Sequence, residues 1–319
     1  MNMSLTDIPG IKVGHYTDRQ AVTGCTVVVC EKGAVAGVDI RGSAPGTRDT
    51  DALMPVNLID RINAIVISGG SAFGLDTAGG VMRYLEERGF GFQVAGVKVP
   101  IVPTAILFDL DIGNSDIRPG IEEGYKACLA ANDGEIAEGC VGAGTGATVG
   151  KILGIGRAIK SGLGMAGREF GDGVIVAALV AVNAVGDVID YKSGKLLAGP
   201  RSEKGNALLS TIELVQQGFD ESALVGSNTT LGIVATNANL NKAQVNKVAQ
   251  MTHDGLARTI NPCHTMYDGD TIFALSSGDK KSDANIIGAI AAEVMADAVV
   301  RAVTQAETIA GIPSIKDIG

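Results

Sequence analysis

Gly226-Ser227-Asn228-Thr229-Thr230-Leu231-Gly232-Ile233-Val234-Ala235-Thr236-Asn237 changes character in its middle. Gly226 to Asn228 is small, polar turn chemistry. Leu231 to Ala235 is a short apolar run with the make-up of a buried strand. Thr229 and Thr230 stand at the junction. A hydroxyl on the first residue of a core strand suits a residue that becomes a chain terminus. A break between Asn228 and Thr229 would leave Thr229 with a free α-amine beside its own hydroxyl, and a threonine activated by such an amine is a nucleophile. A plain loop running into a β-strand accounts for the same residues, because threonine favours strands. Both readings stay open on this stretch alone.

The rest of the chain bounds the answer. It has 319 residues, 46% hydrophobic, 4% aromatic and 19% charged, with 44 glycines and no tryptophan. Such a chain buries a large core of small and branched aliphatic side chains. Its length fits two domains or one large layered domain. The formal net charge of -9 argues against a general nucleic-acid binder. MNMSLTDIPG has neither a basic nor an apolar leader region, and the longest apolar run, Val174 to Val182, is too short to span a bilayer. Cys25, Cys30, Cys128, Cys140 and Cys263 lack metal-type spacing and read as reduced thiols, mostly in the core of a cytoplasmic protein.

Local patterns predict alternating strands and helices. Thr26 to Cys30, Glu31-Lys32-Gly33 and Ala34 to Ile40 read as a hairpin. Leu53 to Ile62 reads as a short helix before a strand at Ala64 to Ser68. Gly69-Gly70-Ser71 leads into a helix ending near Glu87 with Gly89 as its stop, and Pro119 opens another that runs to Asn132. Val97 to Pro103 is extended edge or loop. Val174 to Val185 and Val188 to Tyr191 read as a strand pair turning at Gly186-Asp187. Ser193 to Ser227 is an exposed connection with one helix at Ala207 to Gln216. Asn239 or Asn241 caps a helix carrying Val245, Val248, Ala249 and Leu256. Thr271 to Leu275 is a strand, and Ser282 caps a final helix with Ile286, Ile287, Ile290, Val294 and Val303 on its apolar side. No linker splits this series, so helix layers on sheet are the economical architecture.

Several motifs fail on inspection. Gly139 to Gly156 is glycine-rich, but neither end of a Walker loop fits around Gly150-Lys151. Gly142-x-Gly144-x-x-Ala147 lacks the strand–turn–helix setting of a dinucleotide fingerprint, so close backbone packing around Lys151 is expected instead. Ser71 has Phe73 where a nucleophile elbow needs glycine, and reads as a helix cap. His15, His253 and His264 are not at metal-ligand spacing. Asp268 and Asp270 are more informative: two residues apart on extended chain they share a side, and each raises the other's pKa unless a cation or donor is near. They read as a solvated turn or as a carboxylate pair orienting a hydroxyl and an ammonium.

Taken together, the segments resemble the DmpA-type aminopeptidases, which include β-aminopeptidases and the nylon-oligomer (6-aminohexanoate oligomer) endohydrolases. The resemblance covers nearly the whole chain. It rests on Gly14-His15-Tyr16-Thr17-Asp18, Thr23 to Val27, Val38 to Gly42 with Ala44 to Arg48, Ser68 to Asp76, Val99 to Pro103, Asn228-Thr229-Thr230 and Asp268-Gly269-Asp270-Thr271. It implies an α-β-β-α sandwich like that of N-terminal-nucleophile hydrolases, and a chain that cuts itself into residues 1–228 and 229–319. It implies Thr229 as nucleophile, Asp268 and Asp270 as orienting carboxylates, Asn183 near the reacting carbonyl, and Lys151 as the lysine of the nylon-oligomer branch. Threonine with two aspartates, where many aminopeptidase members have serine with Ser/Glu, places the chain nearer that branch. Phe108 aligns where some relatives carry a tyrosine.

The resulting expectation is an autoprocessing amide hydrolase acting on short peptides or ω-amino-acid oligomers. It needs no cofactor or metal, has no nucleic-acid or membrane partner, and forms a homo-oligomer, a tetramer by resemblance. Rivals are an acyltransferase of the ornithine acetyltransferase type, whose Ala-Thr-Met-Leu cleavage motif is absent, and a non-catalytic glycine-rich binding protein.

Overall fold

Val174 to Asn183 is apolar at nearly every position because both faces of the strand are covered. Val174, Val176, Ala178, Val180 and Val182 face one core, and Ile175, Ala177, Leu179 and Ala181 face another. That alternation gives the architecture of the computed structural model, which describes residues 3–218 and 228–318. In chain order its strands are β1 Lys12–Asp18, β2 Thr23–Ile40, β3 Thr47–Arg48, β4 Arg61–Ser68, β5 Phe92–Val94, β6 Val97–Val99, β7 Thr104–Ile106, β8 Thr148–Val149 and β9 Ile159–Lys160. They continue with β10 Leu163–Phe170, β11 Val174–Asn183, β12 Asp187–Ile189, β13 Leu196–Ala198, β14 Thr229–Ala238, β15 Ile260–Asn261 and β16 Thr271–Lys280. The α-helices are α1 Thr77–Glu87, α2 Ile121–Ala130, α3 Thr211–Gln216, α4 Lys242–Thr259 and α5 Ala284–Thr304.

The main strands run β10-β11-β14-β16-β2-β4-β7-β3, with β1 also on β2. The first half of β2 pairs with β1 and β4, its second half with β16, so one long strand serves two layers. Val28, Ala36, Ile65 and Ile67 meet Leu179, Ile233, Phe273 and Leu275 in the core between the layers. Outside one layer, Val27, Val29 and Val66 pack on Val81 and Leu85 of α1 and Cys128 of α2. Outside the other, Val176, Val180, Val234 and Ile272 pack on Val248 and Leu256 of α4 and Val294 and Val299 of α5. The fold is therefore the expected α-β-β-α sandwich.

Four local readings are corrected. Residues 26–40 form no hairpin: Gly33, at φ 82°, sits in a bulge where the register with β4 shifts, and the strand bends without reversing. Leu53 to Ile62 is not a helix. One 3₁₀ turn, Thr50–Leu53, ends where Pro55 holds Met54 extended, and the chain enters β4 at Arg61. β11 does not turn back on β12; it lies between β10 and β14, while β12 pairs with β13 and β15 in a separate small sheet. Caps shift as well. Ser71, at φ 53°, makes no capping bond, and α5 is capped by Asp283 in place of Ser282, leaving Ile286 51% exposed.

Other expectations hold. Asn241 caps α4 by accepting from Gln244 N–H. The glycine-rich segment is tightly packed: a methyl on Gly146 would sit 2.5 Å from Asp109 Cβ. All five cysteines are unpaired and four are buried. The connection after Ser193 carries α3, and its residues 219–227 lie outside the described residues, as do Gly226 and Ser227 of the junction. Among the described residues no helix is long and apolar enough to cross a membrane.

Candidate active site

The topology brings three chain ends together. β14 and β16 are parallel, so both begin at the same edge, and β11 is antiparallel to β14, so it finishes there. Asn183, the last residue of β11, lies directly across from Thr229, the first of β14. An isolated parallel bridge between Asn228 and Asp268 extends the β14–β16 pairing backwards past both strand starts. Thr229, Asn183, Asp268 and Asp270 are thus neighbours by register, and all are buried.

The bond before Thr229 is held in a specific way. Thr229 Oγ1 donates to the Asn228 carbonyl oxygen at 2.5 Å, and Gly269 N–H donates to the same oxygen at 2.9 Å. The Gly269 position is crowded: a Cβ there would lie 2.7 Å from Thr229 Oγ1 and 2.9 Å from Ala44 O. A side chain here would force the Thr229 hydroxyl or the turn to shift.

Asp268 and Asp270 divide their tasks. Asp270 Oδ1 accepts from Thr230 N–H at 2.7 Å, and its Oδ2 accepts from His264 N–H at 3.0 Å and pairs with His264 Nδ1 at 2.8 Å. Asp268 Oδ2 accepts from Thr265 N–H at 2.8 Å and Thr265 Oγ1 at 2.7 Å. Burial, and then the charge of Asp270, push the Asp268 carboxyl up to about 6; Thr265 and Lys151 work against that rise. A solvated turn is therefore ruled out for this pair.

Lys151 follows β8, and its ammonium crosses to β11, donating to Asn183 Oδ1 at 2.9 Å and Asn183 O at 3.1 Å. Burial lowers its pKa to about 8, with Asp111, Asp268 and Asp109 pulling the other way. Asn183 Oδ1 also accepts from Thr148 N–H at 3.0 Å, and Nδ2 donates to Phe108 O at 2.8 Å. Position 108 thus borders the site through its backbone, with a ring that carries no hydroxyl. All five residues singled out from the sequence, with Asn228, fall into this one cluster. His264, Thr265 and Gly269 were not singled out. Thr265, three residues before Asp268, has the spacing of a local side-chain turn; His264 reaches Asp270 across six residues, with no local signal. Among the described residues no group of three or more histidine, cysteine or acidic side chains is placed to hold a metal.

The sequence profile of peptidase family S58 matches residues 3–315. The chain belongs to peptidase family S58. An uncharacterized aminopeptidase of Mycobacterium leprae is 42% identical to this S58 chain over 343 residues, spanning 98% of this chain and 92% of that protein. A 6-aminohexanoate-oligomer endohydrolase of Kocuria sp. is 31% identical over 312 residues, spanning 93% and 84%. Among solved structures, the L-aminopeptidase D-Ala-esterase/amidase of Ochrobactrum anthropi, described as a new variant among the Ntn hydrolase fold, superposes with a TM-score of 0.72 at 18% identity, covering 96% of this chain and 87% of that one. A Burkholderia sp. beta-aminopeptidase superposes at 0.67 and 20% identity, covering 97% and 88%. The S58 chain has the fold of the Ntn-hydrolase aminopeptidases, and its family makes it an amide hydrolase.

Proposed function

We propose that this S58 chain cuts itself between Asn228 and Thr229 and then hydrolyses amides with Thr229 as its N-terminal nucleophile. The observation that carries this is the Asn228 carbonyl oxygen, which accepts from both Thr229 Oγ1 and Gly269 N–H in a buried setting. In self-cleavage, Thr229 Oγ1 adds to the Asn228 carbonyl carbon. Negative charge gathers on the oxygen that Gly269 N–H already holds, and such a donor is worth about 10²–10³ in rate. The C–N bond breaks, its nitrogen leaves as an amine carrying the hydroxyl proton, and an ester joins Asn228 to Thr229. Water hydrolyses the ester, giving residues 1–228 and 229–319.

The freed α-amine, with an ordinary pKa of about 7.7–8.0, then takes the Thr229 hydroxyl proton as the oxygen attacks a substrate amide. Asn183 serves the substrate carbonyl. Lys151 is a pure donor, so it fixes Asn183 Oδ1 toward itself and turns Nδ2 to the opposite side. Asp268 and Asp270 set the Thr229–Thr230 backbone and the local charge. Water releases the acid and restores the amine.

The substrates are short peptides with a free amine or linear ω-amino-acid oligomers such as those of aminohexanoate. The aminopeptidase and endohydrolase relatives support one class each. A methylene chain gains about 0.8 kcal/mol per buried CH₂, so an aliphatic wall holds a flexible oligomer with few polar contacts. Edman sequencing of the smaller fragment should begin Thr-Thr-Leu-Gly. A start at Thr230, or one intact band after long incubation, sinks the proposal. Mass spectrometry of a blocked or cyclic aminohexanoate oligomer beside aminoacyl-p-nitroanilides separates the classes: internal cleavage supports the oligomers, and activity confined to the anilides leaves an aminopeptidase.

A further inference from the structure

The turn Cys263-His264-Thr265 is built around the two carboxylates. His264 is in the left-handed region at φ 59°, a conformation uncommon outside glycine though less so for histidine. It directs successive backbone N–H groups outward, His264 N–H to Asp270 and Thr265 N–H to Asp268. Runs of N–H groups arranged this way form concave anion sites. The His264 side chain then closes on the oxygen that its own N–H already holds, with Nδ1 at 2.8 Å from Asp270 Oδ2. Both backbone donors on Asp270, His264 N–H and Thr230 N–H, can only donate, so both Asp270 oxygens act as acceptors.

We propose that His264 is a positioning residue: as an imidazolium it holds Asp270 as the anion that fixes the Thr229–Thr230 backbone, and so leaves Asp268 as the carboxyl of the pair that exchanges protons. This rests on the reading of Thr229 as nucleophile. His264 Nε2 is buried with no hydrogen-bond partner among the described residues, so the Asp270 contact at Nδ1 is what compensates the ring. Burial opposes a charge on His264, but the Asp270 bond and charge, with Cys263 beside it, outweigh that and raise the imidazole to about 10. His253 on α4 meets the His264 ring edge-on with centroids 4.8 Å apart. Burial pushes His253 down to about 4, so this second ring stays neutral and does not compete for the charge. His253 Nε2 lies 3.0 Å from Asp39 O and 3.5 Å from the Asp39 carboxylate, which Arg41 neutralises at 2.8 Å. On the far side of the pair Lys151 balances Asp268. Burial raises the Asp268 carboxyl to about 6, which brings its proton exchange toward neutral pH.

Two readouts test this. The first does not pass through Thr229. In full-length protein labelled at histidine, which has only His15, His253 and His264 to assign, NMR should show His264 still protonated at pH 8, and Asp270→Asn should bring it to neutral by pH 7. A His264 that is already neutral at pH 7 in the unmutated protein overturns the proposal, whatever the nucleophile is. The second uses His264→Asn, which tolerates the left-handed backbone and keeps a donor near the Nδ1 position while removing the charge. In processed enzyme, the acid limb of kcat, set by Asp268, should move up by about 1 unit or more, kcat should fall and KM should stay nearly constant. An unmoved acid limb with only a lower Tm marks His264 as a turn residue and overturns the proposal. Failure of Thr229 itself shows elsewhere, as the wrong N-terminus in the unmutated chain.

Discussion

Gly269→Ala puts a methyl group into a narrow gap beside the Thr229 hydroxyl. Its Cβ would stand 2.7 Å from Thr229 Oγ1 and 2.9 Å from the backbone oxygen of Ala44. Non-bonded carbon atoms rest at about 3.5–4.0 Å, and carbon–oxygen contacts are only slightly shorter, so the hydroxyl or the turn must yield by roughly half an ångström. Rotating Thr229 away is the easy relief, because Ala44 is held by its N–H bond to Asp268 O. Either movement disturbs the attack geometry or takes Gly269 N–H off the Asn228 oxygen. A misplacement near 1 Å costs about 10² in rate, and loss of a donor to the developing oxyanion about 10²–10³. Self-cleavage should slow at least about 100-fold, or about 2.7 kcal/mol of barrier, while overpacking costs about 1–3 kcal/mol of stability. The assay is a time course on denaturing gels after rapid purification, with Gly156→Ala as control because a Cβ there meets nothing within 4 Å. If Gly269→Ala processes at the unmutated rate, the Gly269–Asn228 contact has no part in cleavage and the argument fails.

Other outcomes follow from the same contacts. Thr229→Ala should stay a single chain on a denaturing gel under conditions that fully process the unmutated protein. Asp270→Asn should lose turnover and also about 1–3 kcal/mol of stability, since an amide nitrogen cannot accept from the N–H groups that Asp270 holds; equal turnover by steady-state assay would refute its role. Asp268 behaves differently with pH. Its folded value, about 6, lies above the ordinary 3.8, so the folded chain binds the proton more tightly and this group's contribution to stability declines as pH rises from about 4 to about 6. A Tm series over that window should be flatter for Asp268→Asn than for the unmutated chain, and turnover should be lower. Lys160 is fully buried and donates to the carbonyls of Gly144, Ala147 and Ser161 at 3.2, 2.7 and 2.5 Å. Lys160→Met removes these three bonds and should lower stability by about 3 kcal/mol, read as a lower urea midpoint, with self-cleavage retained.

Local sequence determined the pieces whose causes are local. The unbroken apolar run at Val174 to Val182 was a strand, Asn239 or Asn241 was a helix cap, and Thr229-Thr230 before Leu231 marked a strand start. The resemblance then named Thr229, Asp268, Asp270, Asn183 and Lys151, and the structure brings those five together. Tertiary structure decided what they touch. Asn183 meets Thr229 through the register of β11 on β14, and Asp268 meets Asn228 because β14 and β16 are parallel. Pairing of this kind joins residues about 40 positions apart, so no window of sequence contains it. The same limit explains the false hairpins. Glu31-Lys32-Gly33 and Gly186-Asp187 have turn chemistry, but whether such a turn reverses the chain depends on the strands alongside: β4 and β16 hold β2 so that left-handed Gly33 only bulges it. His264 is the same lesson at the site: its partner is six residues away in sequence, and only the folded turn sets its imidazole on Asp270.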